Sequence, residues 1–525
     1  MKRLLPIGIQ GFAKIRGSDY IYVDKTARIH RLVSSGEGAF FLSRPRRFGK
    51  SLLCSTLGAI FEGRRELFKG LAIDSLDWEW KKHPVVHLDL NPGNYSEGLV
   101  EMHATINRGL ELCARKYDVP FVGETISDRF ARLIHAIRER WNERVVVIVD
   151  EYDKPMLGTI DEPQVHKKIR AELKGFYGVL KSCDEHLKFV FLTGVTKFSH
   201  VSVFSDLNHL VDLTLNPQYA DLCGITQEEL EQSFGPEIDG VLENTGRSRE
   251  NYIAELRRFY NGYRFSKKHL KVYNPFGLLN HFSNEGEFLP YWYETGTPTF
   301  LINIIIKQRI NIADLRDLRV GYEDFRKYDI EDMRAEPLLY QSGYLTIADY
   351  DEDMNQFALD YPNEEVRTSF AKSLLEQCFQ PSQEASSCVK TRLPQALLKG
   401  DVDGAMEALR SFFALIPYDI IKETENYYET AIHIIFTAFG MNCRSEVRIA
   451  SGRIDTLVET KNFVYCFEFK LKGTAKEALA QIDTKDYLLP WAGSGKTLFK
   501  VGVSFDLEKR NIGEWITGNN PPSSL

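Results

Sequence analysis

Residues 40–51 read FFLSRPRRFGKS, a stretch that ends like a phosphate-binding loop and begins unlike one. The P-loop pattern G-x-x-x-x-G-K-S/T works because successive backbone N–H groups, leading into a helix N-terminus, converge on an anion. Gly49, Lys50 and Ser51 satisfy the end of that pattern, but Arg44 stands five residues before Gly49, where a glycine belongs. Pro45 removes a further backbone donor. The N–H groups of Arg46, Arg47, Phe48, Gly49, Lys50 and Ser51 remain, and Arg44, Arg46 and Arg47 add positive charge. An apolar run precedes the loop, and Leu53, Leu57, Ile60 and Phe61 follow at helical spacing. In this strand–loop–helix context Lys50 is expected to reach the β- and γ-phosphates of ATP and the Ser51 hydroxyl to hold Mg²⁺. A basic surface turn is the bland alternative.

The residues around the loop favour the first reading. AFFLS (39–43), PVVHLDL (84–90), RVVVIVD (144–150) and LKFVFLTG (187–194) are bare apolar runs of the kind buried on both faces of a parallel sheet. Between them, ISDRFARLIHAIRERW (126–141) places Phe130, Leu133, Ile134, Ile137 and Trp141 on one helical stripe. Residues 1–215 therefore read as an α/β nucleotide-binding domain with a parallel sheet. VVVIVDEYDKP sets Asp150 and Glu151 at a strand end, the Walker B arrangement, with Asp150 on Mg²⁺ through water and Glu151 polarising the attacking water. Thr193 ends a further strand, where a sensor of the γ-phosphate would sit.

At 525 residues the chain has room for about three or four domains. Its hydrophobic fraction of 43% and charged fraction of 26% suit ordinary cores. No apolar run approaches the ~18 residues of a membrane span, and the eight scattered cysteines read as reduced thiols, so a cytoplasmic location is expected. The net charge of −7 confines any nucleic-acid contact to a local surface. Residues 216–385 mix short helices with hairpin-like strands, a helical, winged-helix-like middle module. The acidic run Asp349 to Asp353 reads as a solvated turn, and QPSQEASSCVK (380–390) as a linker.

The remaining 386–525 restart with a helix, three strand-like runs, another helix and a final strand, the order α-β-β-β-α-β. GRIDTLVETKNFVYCFEFK (452–470) carries the chemistry there. Residues two apart in a strand share a face, so Glu468 and Lys470 point one way and Phe467 and Phe469 the other. A hairpin would bring Asp455 beside Glu468. Two carboxylates and a neighbouring carbonyl suit one or two Mg²⁺ ions. Lys470 would orient or deprotonate a water, or stabilise charge on a phosphorane-like transition state. An exposed Glu/Lys pair that merely stabilises a strand is the alternative.

Two resemblances join these readings. IGIQGFAKIRGSDYIYVDKTARIHRLVSSGEGAFFLSRPRRFGKSLLCSTLGAIFEGRRELFKGLAI and LTGVTKFSHVSVFSDLNHL resemble the bacterial and archaeal AAA-ATPase-like family, whose loop reads S-R-P-R-R-F-G-K-S. The missing first glycine is thus similar to the family's own loop. D-x(12)-E-x-K in the C-terminal segment resembles the PD-(D/E)XK nuclease superfamily, with Ile454 where that superfamily has a proline. The resemblance implies a P-loop NTPase fold followed by a restriction-endonuclease-like domain. It implies Asp455, Glu468 and Lys470 as a catalytic set, Gln481 as a supporting glutamine, and Glu446 and Glu429 as further acids. The function implied is an ATP-binding, ATP-hydrolysing protein controlling a Mg²⁺-dependent nuclease that acts on nucleic acid, DNA before RNA. A homo-oligomer is expected, because related ATPases complete their sites with a neighbour's arginine. The rival is a nucleotide-dependent switch with a silent nuclease fold.

Overall fold

A computed structural model describes residues 3–36, 38–197, 204, 209–295, 299–308, 315, 318–325, 335–416 and 425–520. They form two compact units, one from Met1–Thr295 and Leu318–Asn363, the other from Gly296–Asp317 and Glu364–Leu525. Most of LTGVTKFSHVSVFSDLNHL lies outside the described residues.

The first unit is built on β1 (Ala39–Ser43), β2 (Val85–Asp89), β3 (Val145–Asp150), β4 (Leu187–Gly194) and β5 (Leu210–Asp212), all parallel, in the order β2-β3-β4-β1-β5. β1, β3 and β4 are almost wholly buried because helices cover both faces. β4 lies between β1 and β3, so the phosphate loop and the Asp150 strand are not neighbours in the sheet. That places a crevice at the carboxyl ends of the strands. Of the stripe on helix Ile126–Trp141, Phe130, Leu133, Ile134 and Ile137 are buried, whereas Trp141 is half exposed at the helix end against Tyr117.

Four helices (Gln227–Ser233, Gly235–Thr245, Arg249–Tyr260 and Pro275–Ser283) share a core that includes Phe234, Tyr252, Leu256 and Phe282. The strands β6 (Leu318–Gly321), β7 (Thr346–Asp351) and β8 (Gln356–Asp360) form a small antiparallel sheet, and residues 352–355 are its exposed turn.

In the second unit, β9 (Asn442–Ile449), β10 (Gly452–Glu459), β11 (Phe463–Lys470), β12 (Thr497–Asp506) and β13 (Asn511–Asn520) make a mixed sheet, with β11 and β12 its parallel pair. β13 extends the expected α-β-β-β-α-β order by one strand. Its glycines and asparagines hide it in sequence, and its ladder to β12 holds it in place. Helix Ala475–Thr484, started by a Thr474/Glu477 capping box, crosses between β11 and β12. On the opposite face Phe467, Phe469, Phe505 and Tyr428 form an aromatic column.

The expected linker at 380–390 is a correction. Only Gln380–Ser382 separate helices Glu364–Phe379 and Gln383–Lys399. Gln380 takes φ 41 and Pro381 follows, which ends one helix. Beyond them the run contains no glycine or proline, so its polarity is that of a helix.

Candidate functional site

The loop after β1 is held from behind. Arg44 is fully buried and turns into the protein. Its Nη1 donates to the carbonyls of Ser43 (2.8 Å) and Thr214 (3.0 Å), its Nη2 to that of Tyr219 (3.0 Å), and its guanidinium lies 4.3 Å from the Phe265 ring. The expectation that three arginines charge the loop is corrected: Arg44 is a brace, while Arg46 and Arg47 are exposed. Trp292 Nε1 donates to the Arg46 carbonyl at 2.9 Å, and Phe48 packs edge-on to Tyr263 and Phe265. A Cβ on Gly343 would fall 2.8 Å from Pro45, so only glycine lets the loop seat there. Arg47 (φ 64) and Gly49 (φ 93) supply the left-handed turns. The loop's missing glycine is thus replaced by packing. Arg44→Lys keeps the charge but loses the fork that reaches three carbonyls. It is expected to cost about 3 kcal/mol, read as a fall of roughly 5 °C in the unfolding midpoint of this unit by calorimetry.

Lys50 is nearly buried. Its ammonium donates to the carbonyls of Arg44 and Pro45, each at 3.2 Å, and pairs with Glu151 at 3.3 Å. The Asp150 carboxylate has its pKa pushed up to about 6 by burial and then by the Glu151 charge, with the Ser51 hydroxyl and Lys50 acting the other way. Glu151 adopts φ 53 and its N–H donates to Asp150 Oδ1 at 3.0 Å. A cavity of about 340 Å³ opens over these groups, lined by the cations Arg46, Arg47, Lys50 and Lys154, by Ser51 and Gly49, and by the acids Asp89 and Glu151. Backbone donors, four cations and two flanking acids fit a triphosphate with a divalent ion. Thr193 is not brought to this cavity. Its hydroxyl donates to the Leu42 carbonyl at 2.7 Å, tying β4 to β1.

In the second unit β10 and β11 bring Asp455 and Glu468 together. The register places Thr456 opposite Phe467, and Asp455 Oδ2 accepts from the Phe469 N–H at 2.9 Å. The β9–β10 ladder skips the Glu446/Asp455 position, where Glu446 takes φ 56, a local distortion of the kind that re-aims side chains beside sites. Lys470 Nζ lies 3.2 Å from Glu468 Oε1, and Gln481 Nε2 donates to the same oxygen. Gln481 reaches it because Gly502, paired with Glu468, lets helix Ala475–Thr484 lie against the strand: a Cβ there would fall 2.2 Å from the Ala475 carbonyl. Glu468 is 1% exposed, and its Oε2 has no hydrogen-bond partner among the described residues. Its pKa is pushed up to about 8, first by burial and then by the Asp455 charge, which together outweigh Lys470. A buried carboxylate oxygen without a donor, facing a second carboxylate, fits a divalent cation.

Comparison with known proteins matches a family to the region of each site. Residues 6–204 match the family described as predicted AAA-ATPase, and residues 423–515 match the PD-(D/E)XK nuclease superfamily. An Azotobacter chroococcum mcd 1 protein, described as an uncharacterized protein in the vnfD 5′ region, is 36% identical over 522 residues, covering 97% of this chain and 98% of that one. The chain belongs to the AAA-ATPase-like family. Its parallel five-stranded sheet carries the P-loop fold, and its C-terminal mixed sheet is the PD-(D/E)XK domain. Among the described residues no helix is long and apolar enough to cross a membrane, and Cys54, Cys113, Cys183, Cys223, Cys378, Cys443 and Cys466 are in no disulfide.

Within this AAA-ATPase-like protein the two sets of sequence-predicted residues assemble unequally. Arg46, Arg47, Gly49, Lys50, Ser51 and Glu151 line one cavity with Asp150 beneath, while the Phe48 side chain faces the core. Asp455, Glu468, Lys470 and Gln481 converge. Glu429 raises the Glu468 pKa by its charge, whereas Glu446 pairs with Arg453 at 2.5 Å. Asp89, Lys154 and Tyr487, whose hydroxyl accepts from Gln481 at 3.2 Å, escaped sequence reasoning. Asp89 ends an apolar strand as Asp150 does, a signal that was legible. Tyr487 carries no comparable signal.

Proposed function

We propose that this protein binds and hydrolyses ATP at the RPRRFGKS loop and cleaves nucleic acid, DNA rather than RNA, at Asp455, Glu468 and Lys470 in a Mg²⁺-dependent reaction that the ATPase controls. Nucleotide-binding and nuclease-type domains are present. The observation that carries the finer reading is the convergence of Lys470 and Gln481 on one oxygen of Glu468 while the other, buried, has no donor among the described residues. Asp455 and Glu468 would hold the metal, and bound there it would polarise the scissile phosphate and lower the pKa of a water. Lys470, 29% exposed at its side chain, can reach solvent and so orient that water or offset charge on the phosphorane. Gln481 fixes the rotamer of Glu468. The expected cytoplasmic location belongs to the same reading.

A second reading, a nucleotide-dependent switch with a silent nuclease fold, is favoured by one fact. Among the described residues no group of three or more metal-binding side chains is assembled. Labelled single- and double-stranded DNA and RNA, incubated with Mg²⁺ or Mn²⁺ and with or without ATP, separate the two. Cleavage that falls about a hundredfold or more in Lys470→Ala is expected. No cleavage by the intact protein under any metal supports the switch.

A further inference from the structure

We propose that Lys154 is the cation that meets the γ-phosphate opposite Lys50, so that the hydrolytic site is complete within one chain and needs no residue from a neighbour. The inference rests on the nucleotide reading above and deepens it.

The turn after β3 is built to present two groups at once. Asp153 is fully buried, and its carboxylate accepts from the N–H of Val195 (3.1 Å), the N–H of Thr196 (2.7 Å) and the Thr196 hydroxyl (2.6 Å). These bonds pin the turn to the end of β4. The Lys154 N–H donates to the Glu151 carbonyl at 3.0 Å, closing the turn. Both Glu151 and Lys154 line the 340 Å³ cavity. A water-activating carboxylate and a cation are therefore delivered together by a rigid support.

Lys154 differs from Lys50 in having nothing to hold. Lys50 has three partners, whereas the half-buried Lys154 ammonium makes no ion pair or hydrogen bond among the described residues. Its pKa is pushed down by burial first and then by the Arg46 guanidinium. Four cations share the cavity with the acids Glu151 and Asp89, an excess of positive charge that is unfavourable alone and favourable around a polyphosphate.

In the reaction, water oxygen bonds to the γ-phosphorus as the bond from that phosphorus to the β–γ bridging oxygen breaks. The electron pair leaves on the β-phosphate of ADP, and the water proton passes to Glu151. Charge grows on the bridging and equatorial oxygens, and Lys154 offsets it. An arginine placed in cis or in trans does this work in other NTPases and is worth about 10³–10⁵ in rate.

The test uses the full chain and ATP. Phosphate release per chain should stay constant over a hundredfold range of protein concentration. Lys154→Ala should lower kcat about a hundredfold or more while affinity for a non-hydrolysable ATP analogue changes less than about fivefold. Aluminium fluoride should tighten ADP binding to the intact protein and not to Lys154→Ala, and Lys154→Arg should restore part of both effects. Wild-type hydrolysis in Lys154→Ala, specific activity rising with concentration, or nucleotide binding without any hydrolysis by the intact protein each overturns the inference and leaves nucleotide binding standing. Failure of the intact protein to bind ATP removes the nucleotide reading itself.

Discussion

Glu468→Gln is expected to lower metal-dependent cleavage about a thousandfold and, in the metal-free protein, to raise the unfolding midpoint above pH 8. The two effects have one cause. Glu468 is buried beside Asp455 and its Oε2 has no donor among the described residues, so the ionised form is held at a cost. Its folded pKa of about 8 lies above the ordinary 4.5. The folded state then binds more protons than the unfolded state between these values, and stability falls as pH rises through that window. Stability from the protonated form is fully present below about pH 4.5 and lost above about pH 8. Glutamine keeps the shape and the oxygen that Gln481 and Lys470 engage, but it neither ionises nor binds a divalent cation strongly. The slope of midpoint against pH from 4.5 to 8 should therefore flatten in the variant. Calorimetry in a chelator across that range and a cleavage assay in Mn²⁺ check the two halves. A variant that cleaves like the wild type removes Glu468 from the metal site, whatever its stability.

Lys50→Ala is expected to weaken binding of a non-hydrolysable ATP analogue about a hundredfold or more, a loss of roughly 3 kcal/mol. Lys50 is almost buried beneath the cavity, drawn back onto the Arg44 and Pro45 carbonyls and onto Glu151. The ammonium has only to swing from these weak carbonyl contacts to the phosphates, a short path to a far stronger partner. Its removal also leaves Glu151 without its ion pair and takes away a charge that lowers the Asp150 pKa, so Asp150 should hold its proton to higher pH. Trp292, donating to the Arg46 carbonyl, sits against the loop and offers an intrinsic fluorescence signal for the titration. Equal affinity in the two proteins would show that phosphate is gripped elsewhere.

Much of the fold was legible because it rests on local periodicity. Bare runs such as RVVVIVD could only be buried strands, and the stripe from Phe130 to Ile137 could only be a helix packed on one side. Glu468 and Lys470 share a face by the pleat of one strand, which requires no knowledge of the rest of the chain. The linker at 380–390 misled because polar composition marks a solvated surface and not the absence of a helix. Thr193 misled because a polar group at a strand end can as well bond the neighbouring strand.

Sequence by itself determined which groups a single turn or strand presents together, Gly49 with Lys50 and Ser51, Asp150 with Glu151, and Glu468 with Lys470. Only tertiary structure decided how the phosphate loop keeps its shape without its first glycine. The brace comes from Thr214, Tyr219, Phe265, Trp292 and Gly343. Contacts between residues so far apart in the chain leave no spacing to read. The same limit hid the inward turn of Arg44 and the Lys154 ammonium, unpartnered among the described residues, because a charge declares its partners only after the chain has folded around it.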